Sequence, residues 1–246
     1  MSESLVYGLH AVKKALQLSI DDCRCLYQAE GRNPRLQQVA SLARQKGLRI
    51  EHKTRDELTA LCGSAKHQGC VVALHGGAHR AVSLGELLQS ISASDLFLVL
   101  DGVQDPHNLG ACLRTADAAG VRAVVVPKDR AASLTPVVRK VAAGGAETVP
   151  LITVSNLSRA LEELRQAGVW LVGTSGEAQR SLFDQELDGP LALVMGAEGE
   201  GLRRLTAQAC DYLVHLPMRG QVESLNVSVA TGICLYEINR RRQAVH

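Results

Sequence analysis

Apolar residues in the first third of the chain recur with two alternating periods. Spacings of three to four residues predict helices over 10–18, 34–45 and 55–61, and short apolar runs predict strands over 23–28, 48–51 and 69–74. Pro34 suits a first helical turn because it has no amide hydrogen to leave unpaired, and Gly47 suits a helix end because it tolerates positive φ. The pattern describes a small α/β sandwich. It breaks after Leu74 at HGGAHRAVS, where paired glycines and histidines read as a linker, followed by a short helix over 84–91.

From Asp95 onward the pattern becomes strand then helix, repeated. Apolar runs at 96–100, 121–126, 149–152, 170–172, 191–195 and 213–216 show little alternation, as expected of parallel strands covered on both faces. Helices are expected over 109–119, 136–143, 157–167 and 226–241. Thr135 followed by Pro136 marks the start of the second, and Ser155 is the expected N-cap of the third. The fold class is therefore α/β, with a doubly wound second domain. The expected division is an N-terminal domain over 1–75, a linker over 76–94 and a larger domain over 95–246.

Composition narrows the partners. Hydrophobic residues make up 46% of the 246 but aromatics only 3%, so an RNA-binding surface here cannot lean heavily on stacked rings. The net charge of +2 is uneven: residues 1–94 hold 12 Lys and Arg against 8 Asp and Glu, and residues 95–246 hold 15 against 17. Arg24, Arg32, Arg35, Lys46, Arg49, Lys53, Arg55 and Lys66 are candidates for phosphate contact in the basic part, with ordinary solvation as the default for each. Seven cysteines, odd in number and mostly set in apolar runs, fit buried thiols in a reducing compartment. The Cys23–Cys25 pair offers two ligands where zinc needs four, so no metal is expected. No signal-peptide pattern opens the chain and no long uncharged apolar run follows, so a cytoplasmic protein without membrane contact is expected.

Ligands of open α/β sheets gather beyond the carboxyl ends of the strands. Three polar, glycine-rich stretches follow apolar runs: DGVQDPHNLGACLRTADAAG (101–120), LVMGAEGEGL (193–202) and LPMRGQVESLNVSVATG (216–232). None has the G-x-G-x-x-G spacing of a dinucleotide site or a Walker-type phosphate loop. In the first, Asn108 either caps the following helix, leaving Arg114 solvated, or the two serve one cleft. In the second, glycines at 196, 199 and 201 let backbone approach a ligand while Glu198 stands near it, although a turn glutamate facing solvent has the same pattern. In the third, Ser224 is a possible helix cap and Leu225, Val229, Ile233 and Tyr236 fall near one helix face. Asn226, early in that helix, calls for a specific partner.

Taken together, these stretches resemble the three motifs of the SpoU/TrmH class of RNA ribose 2'-O-methyltransferases, part of the SPOUT superfamily. The match requires three spaced patterns in one order, and every motif residue is present: Asn108 and Arg114, then MGAEGEG with Glu198, then SLNVSVA with Ser224 and Asn226. VYGLHAV (6–12) and HQG (67–69) extend the resemblance over the whole chain, toward members that methylate a P-loop guanosine of 23S ribosomal RNA. The resemblance implies a trefoil knot in the C-terminal domain, an exception to the rule that chains do not thread loops. It also implies an N-terminal RNA-binding domain of the ribosomal protein L30e type, S-adenosylmethionine as methyl donor, and a homodimer formed through the knotted domain.

The resemblance further assigns roles. Arg114 is placed nearest the reacting hydroxyl, stabilising the forming alkoxide or taking its proton. The first role is preferred because a guanidinium is ordinarily protonated. Asn108 is expected to position Arg114 or the ribose, Glu198 to fix the motif loops or orient Arg114, and Ser224 and Asn226 to bind RNA or shape the site. Thr174, Ser175, Gly176, Gly196, Leu216, Met218 and Leu225 are the expected donor pocket. His107 has no fixed role in the pattern. The substrate alternatives are transfer RNA or another ribosomal site, and, more remotely, a non-catalytic assembly protein.

Overall fold

In the computed structural model, residues 4–18, 20–31, 33–74 and 82–244 are described. Residues 76–81 of the expected linker, with His75 before them, and Arg32 lie outside them. The chain divides into two compact units, residues 1–81 with 134–148, and residues 82–133 with 149–246.

Unit 1 runs β1 (Ser4–Tyr7), α1 (Leu9–Leu18), β2 (Cys23–Ala29), α2 (Pro34–Gln45), β3 (Ile50–Lys53), α3 (Arg55–Cys62) and β4 (Cys70–Leu74). Its four strands order β1-β4-β2-β3, with β4 antiparallel to both neighbours and β2 parallel to β3. Asn33 caps α2 ahead of Pro34, and Thr54 with Glu57 forms a capping box at α3, so both helices begin where side chains satisfy their open amides. Cys23 and Cys25, two apart, would share one face of a regular strand. A register shift between them sends Cys23 into the cluster with Val12, Leu16 and Leu26, and Cys25 into the one with Tyr7, Tyr27 and Leu58. Burial pushes the Cys23 thiol up to about 11 and the Cys70 thiol up to about 12, which makes both unreactive packing residues. The expected strands were displaced by one or two residues at most, but β1 was not anticipated because four residues carry too little pattern.

Unit 2 contains α4 (Leu84–Leu88), β5 (Leu96–Asp101), α5 (Pro106–Ala118) and β6 (Ala123–Pro127). The chain then crosses α6 (Pro136–Ala142), which clusters with unit 1, where a buried Arg139–Glu147 ion pair of 2.9 Å closes the segment. It returns through β7 (Leu151–Val154), α7 (Leu157–Gln166), β8 (Trp170–Thr174), β9 (Arg180–Ser181), β10 (Leu191–Gly196), α8 (Arg204–Ala209), β11 (Tyr212–His215) and α9 (Val227–Ala244). All seven strands are parallel and order β7-β6-β5-β10-β8-β11-β9. The sheet is buried on both sides, which explains strands such as LFLVLD and LALVMG without polar alternation. Because every strand points the same way, their carboxyl ends form one rim.

Three helix starts differ from expectation. Asp105, not Asn108, caps α5, accepting from the His107 amide with Pro106 at the first helical position. Asn156 rather than Ser155 caps α7. Asn226 rather than Ser224 caps α9, its side chain accepting from the Ser228 amide. The face of α9 that packs inward carries Val227, Thr231, Cys234, Leu235 and Ile238, whereas Val229, Ile233 and Tyr236 lie on the exposed side, 51%, 38% and 56% accessible. The helix is apolar on two faces, so periodicity alone could not say which one is covered.

Candidate active site

The rim of unit 2 gathers the three glycine-rich stretches. β5 ends at Asp101, β10 ends at Gly196 directly beside it, and β8 and β11 end next in line at Thr174 and His215. After Gly196 the chain makes a tight loop closed by paired backbone bonds between Ala197 and Gly201 of 3.1 and 2.9 Å. Gly199 and Gly201 take φ of +79° and +67°, a region side-chain-bearing residues rarely adopt. The loop folds back so closely that a Cβ on Gly196 would lie 2.1 Å from the carbonyl carbon of Gly201. Asp101, nearly fully buried, anchors the loop's exit: it accepts from the Arg203 amide at 3.2 Å and from its Nε at 2.6 Å.

Helices α5 and α9 lie side by side in the same direction. Cys112 reaches Thr231, Gly232 packs on Thr115, and Asn239 donates to the Ala119 carbonyl. This pairing sets their amino ends together, with Asn108 in the first turn of α5 and Asn226 at the cap of α9. Glu198, at the tip of the loop, meets both. Asn226 Nδ2 donates to Asn108 Oδ1 at 3.0 Å and to Glu198 Oε2 at 3.2 Å, and Asn108 Nδ2 donates to Glu198 Oε2 at 3.4 Å. The carboxylate faces the positive ends of two helix dipoles, a favourable place for its charge. Three stretches, the first and last 118 residues apart along the chain, thus meet in one hydrogen-bonded cluster.

Arg114 and Ser224 are exposed and, among the described residues, form no hydrogen bond to this cluster. With α5 starting at Pro106, Arg114 lies in its third turn, about 9 Å along the axis from Asn108 at 1.5 Å per residue. Of the expected donor-pocket residues, Thr174, Ser175 and Gly196 lie at neighbouring strand ends of the rim. Thr174 donates through Oγ1 to the Val194 carbonyl at 3.4 Å, the Ser175 amide donates to the Val214 carbonyl at 2.9 Å, and nothing crowds Gly176. Leu216 and Met218 follow β11, and Leu225 is half-buried just before Asn226. Sequence reasoning missed Asp101, Arg203 and Ser228. Within SLNVSVA nothing local marks Ser228, and no local signal pairs residues 101 and 203. In unit 1, Arg49 pairs with Glu51 at 2.8 Å and Lys53 lies over the Tyr27 ring, while Arg35, Lys46, Arg55 and Lys66 are exposed.

Residues 95–236 match the SpoU rRNA methylase family, and residues 5–76 match the RNA 2'-O ribose methyltransferase substrate-binding family. The chain belongs to the SpoU rRNA methylase family. It is an RNA 2'-O-methyltransferase. This SpoU methylase is 52% identical to the 23S rRNA (guanosine-2'-O-)-methyltransferase RlmB of Pseudomonas putida, over 97% of this chain and 96% of that one. Its fold matches a solved RNA 2'-O ribose methyltransferase with a TM-score of 0.82 at 31% identity, covering 98% of this chain and 89% of the other. An AdoMet-bound rRNA methyltransferase from Sinorhizobium meliloti matches with a TM-score of 0.80 at 25% identity, over 97% and 87%. The α/β architecture of the SpoU methyltransferase fold is therefore that of this protein. Among the described residues no helix is long and apolar enough to cross a membrane.

Proposed function

We propose that this methylase transfers a methyl group from S-adenosylmethionine to the ribose 2'-hydroxyl of a guanosine in 23S ribosomal RNA, the P-loop guanosine of the peptidyl-transferase centre, in the cytoplasm during ribosome maturation. The observation that carries the reading is the Asn108–Glu198–Asn226 cluster, in which all three motifs meet at the strand-end rim. The address on 23S RNA is supported by the relative from Pseudomonas putida, similar over nearly the full length of both chains.

The residues on the rim fit an adenosyl donor. Open backbone at Gly176 and the apolar side chains of Leu216, Met218 and Leu225, beside the strand end at Gly196 on which the loop backbone folds, suit a flat base and a sulfur-bearing chain. Thr174 and Ser175 complete the pocket. When bound, the donor supplies an electrophilic methyl on a sulfonium. The protein's part is to hold the sugar oxygen in line with it, and such positioning is worth about 7–11 kcal/mol in favourable cases. Arg114 acts as the fixed positive charge beside the attacking oxygen, stabilising the negative charge that develops there. Asn108 and Glu198 hold the motif loops together where the ribose is positioned, and Ser224 and Asn226 shape its entry.

The same reading divides the chain into an RNA-binding domain over 1–75 of the ribosomal protein L30e type, a linker over 76–94 and a catalytic domain over 95–246. The substrate-binding family match over 5–76 supports the first part. A trefoil knot in the catalytic domain is supported by the insertion of β10 between β5 and β8 and by the fold-back of 197–202 on the end of β10. The exposed apolar stripe Val229, Ile233 and Tyr236 supports a homodimer formed through that domain. Incubation with tritiated donor and unmodified 23S RNA or transfer RNA tests the function. Label on the ribose of one guanosine in 23S RNA is expected; label on transfer RNA alone contradicts the address, and no ribose label on any RNA contradicts the chemistry.

A further inference from the structure

We infer that Ser228 is a positioning residue for methyl transfer: it fixes which way the amide of Asn226 faces, and through it the arrangement of Asn108 and Glu198. The inference rests on the functional reading above. Asn226 Oδ1 receives two donors from residue 228, the backbone amide at 3.0 Å and the hydroxyl at 2.6 Å. A backbone amide can only donate, so the atom it faces must be the oxygen of Asn226. The NH2 group is then turned the other way, and its two hydrogens are both used, one on Asn108 Oδ1 and one on Glu198 Oε2.

The orientation propagates. Because Asn108 Oδ1 is already an acceptor, its own NH2 is directed at Glu198, where it donates to the same Oε2. One carboxylate oxygen thereby holds two amide donors, and Oε1 makes no hydrogen bond among the described residues, leaving it available to a cation or hydroxyl at the rim. With the Asn226 amide reversed, an amide oxygen would face both Asn108 Oδ1 and the carboxylate, placing acceptors against acceptors. The backbone amide of residue 228 favours the observed orientation by one bond. The hydroxyl adds a second, shorter bond to the same oxygen; able to donate or accept, it pins the side chain in place while the backbone amide sets its direction. A side chain that merely filled space at position 228 would keep the direction set by the backbone amide and lose the second bond that holds Asn226 in place.

The test is single-turnover methylation of RNA by the full chain carrying Ser228→Ala, Ser228→Thr, Asn226→Ala, or Ser228→Ala with Asn226→Ala, with melting temperatures recorded alongside. Ser228→Ala should lower the rate of the bound complex about tenfold, the size expected for one lost hydrogen bond. RNA and donor affinities should stay near those of the wild type, and Ser228→Thr, which keeps the hydroxyl, should recover most of the rate. Since the residue acts through Asn226, adding Ser228→Ala to Asn226→Ala should slow the reaction no further. A Ser228→Ala rate equal to wild type, or a full tenfold additional loss in the Asn226→Ala background, would overturn the inference. If the wild-type chain methylates no RNA, it is the functional reading that fails, independently of the variants.

Discussion

Single side chains in this protein do work that their type does not reveal. His67 is buried between α3 and β4; its Nδ1 accepts from the Gly69 amide at 2.9 Å, so the ring proton resides on Nε2, 3.2 Å from the Thr59 hydroxyl. Burial, the leading cause, holds the imidazole below its ordinary value of 6.5. The folded state therefore prefers the neutral ring, and the unfolded chain takes up the proton first. The stability this gives is present above the ordinary value and is lost as pH falls through it. Melting temperature should thus drop more between pH 7.5 and 5.5 in the wild type than in a His67→Gln variant; parallel curves would show that His67 does not titrate with folding. At this scale the sequence was legible as residue types and only partly as roles. Asn108, Glu198 and Asn226 stood out as polar groups at strand ends, but Asn226 proved both the cap of α9 and a member of the cluster, and Asn108 capped nothing. The HQG stretch was visible only through resemblance, because the hydrogen bonds that explain His67 come from residues eight positions earlier and two later.

Elements were the most legible scale. Long periodic helices such as α2 and apolar strands such as β5 and β10 fell where the pattern set them, because burial on one stripe or on both faces leaves a strong mark on sequence. Helix starts were less certain, since Asp105, Asn156 and Asn226 each have a polar neighbour that can cap as well. α8 and β9, six and two residues long, carry no usable period. The loop after β10 shows how an element can be specified by glycine alone. Gly196→Ala would set a Cβ against the Gly201 carbonyl, a backbone group that cannot move aside without opening the loop. We expect this variant to lose donor binding in calorimetry, with Glu198 no longer held near Asn226. Wild-type affinity in the variant would mean that the fold-back is not required for the pocket.

At the scale of the whole molecule, most of what matters is non-local and left little trace in the chain. Strand order, the placing of β10 between β5 and β8, and the grouping of 134–148 with unit 1 all depend on contacts between distant residues. The resemblance to SpoU enzymes, not periodicity, suggested how the three stretches come together. The outward stripe of α9 is likewise a property of the assembled fold, and if it joins two copies, Ile233→Asp should shift the protein toward a monomer in sedimentation velocity. An unchanged sedimentation coefficient would place any dimer contact elsewhere. The account as a whole depends on the rim of unit 2 being the place where a ribose hydroxyl is methylated, with Arg114 as its charge. The most direct measurement is transfer of tritiated methyl to 23S RNA by Arg114→Ala, with donor affinity measured on the same preparation. Loss of about a hundredfold or more in rate with donor binding retained is the predicted result, in line with removal of a group that stabilises developing charge. Turnover close to wild type would contradict it.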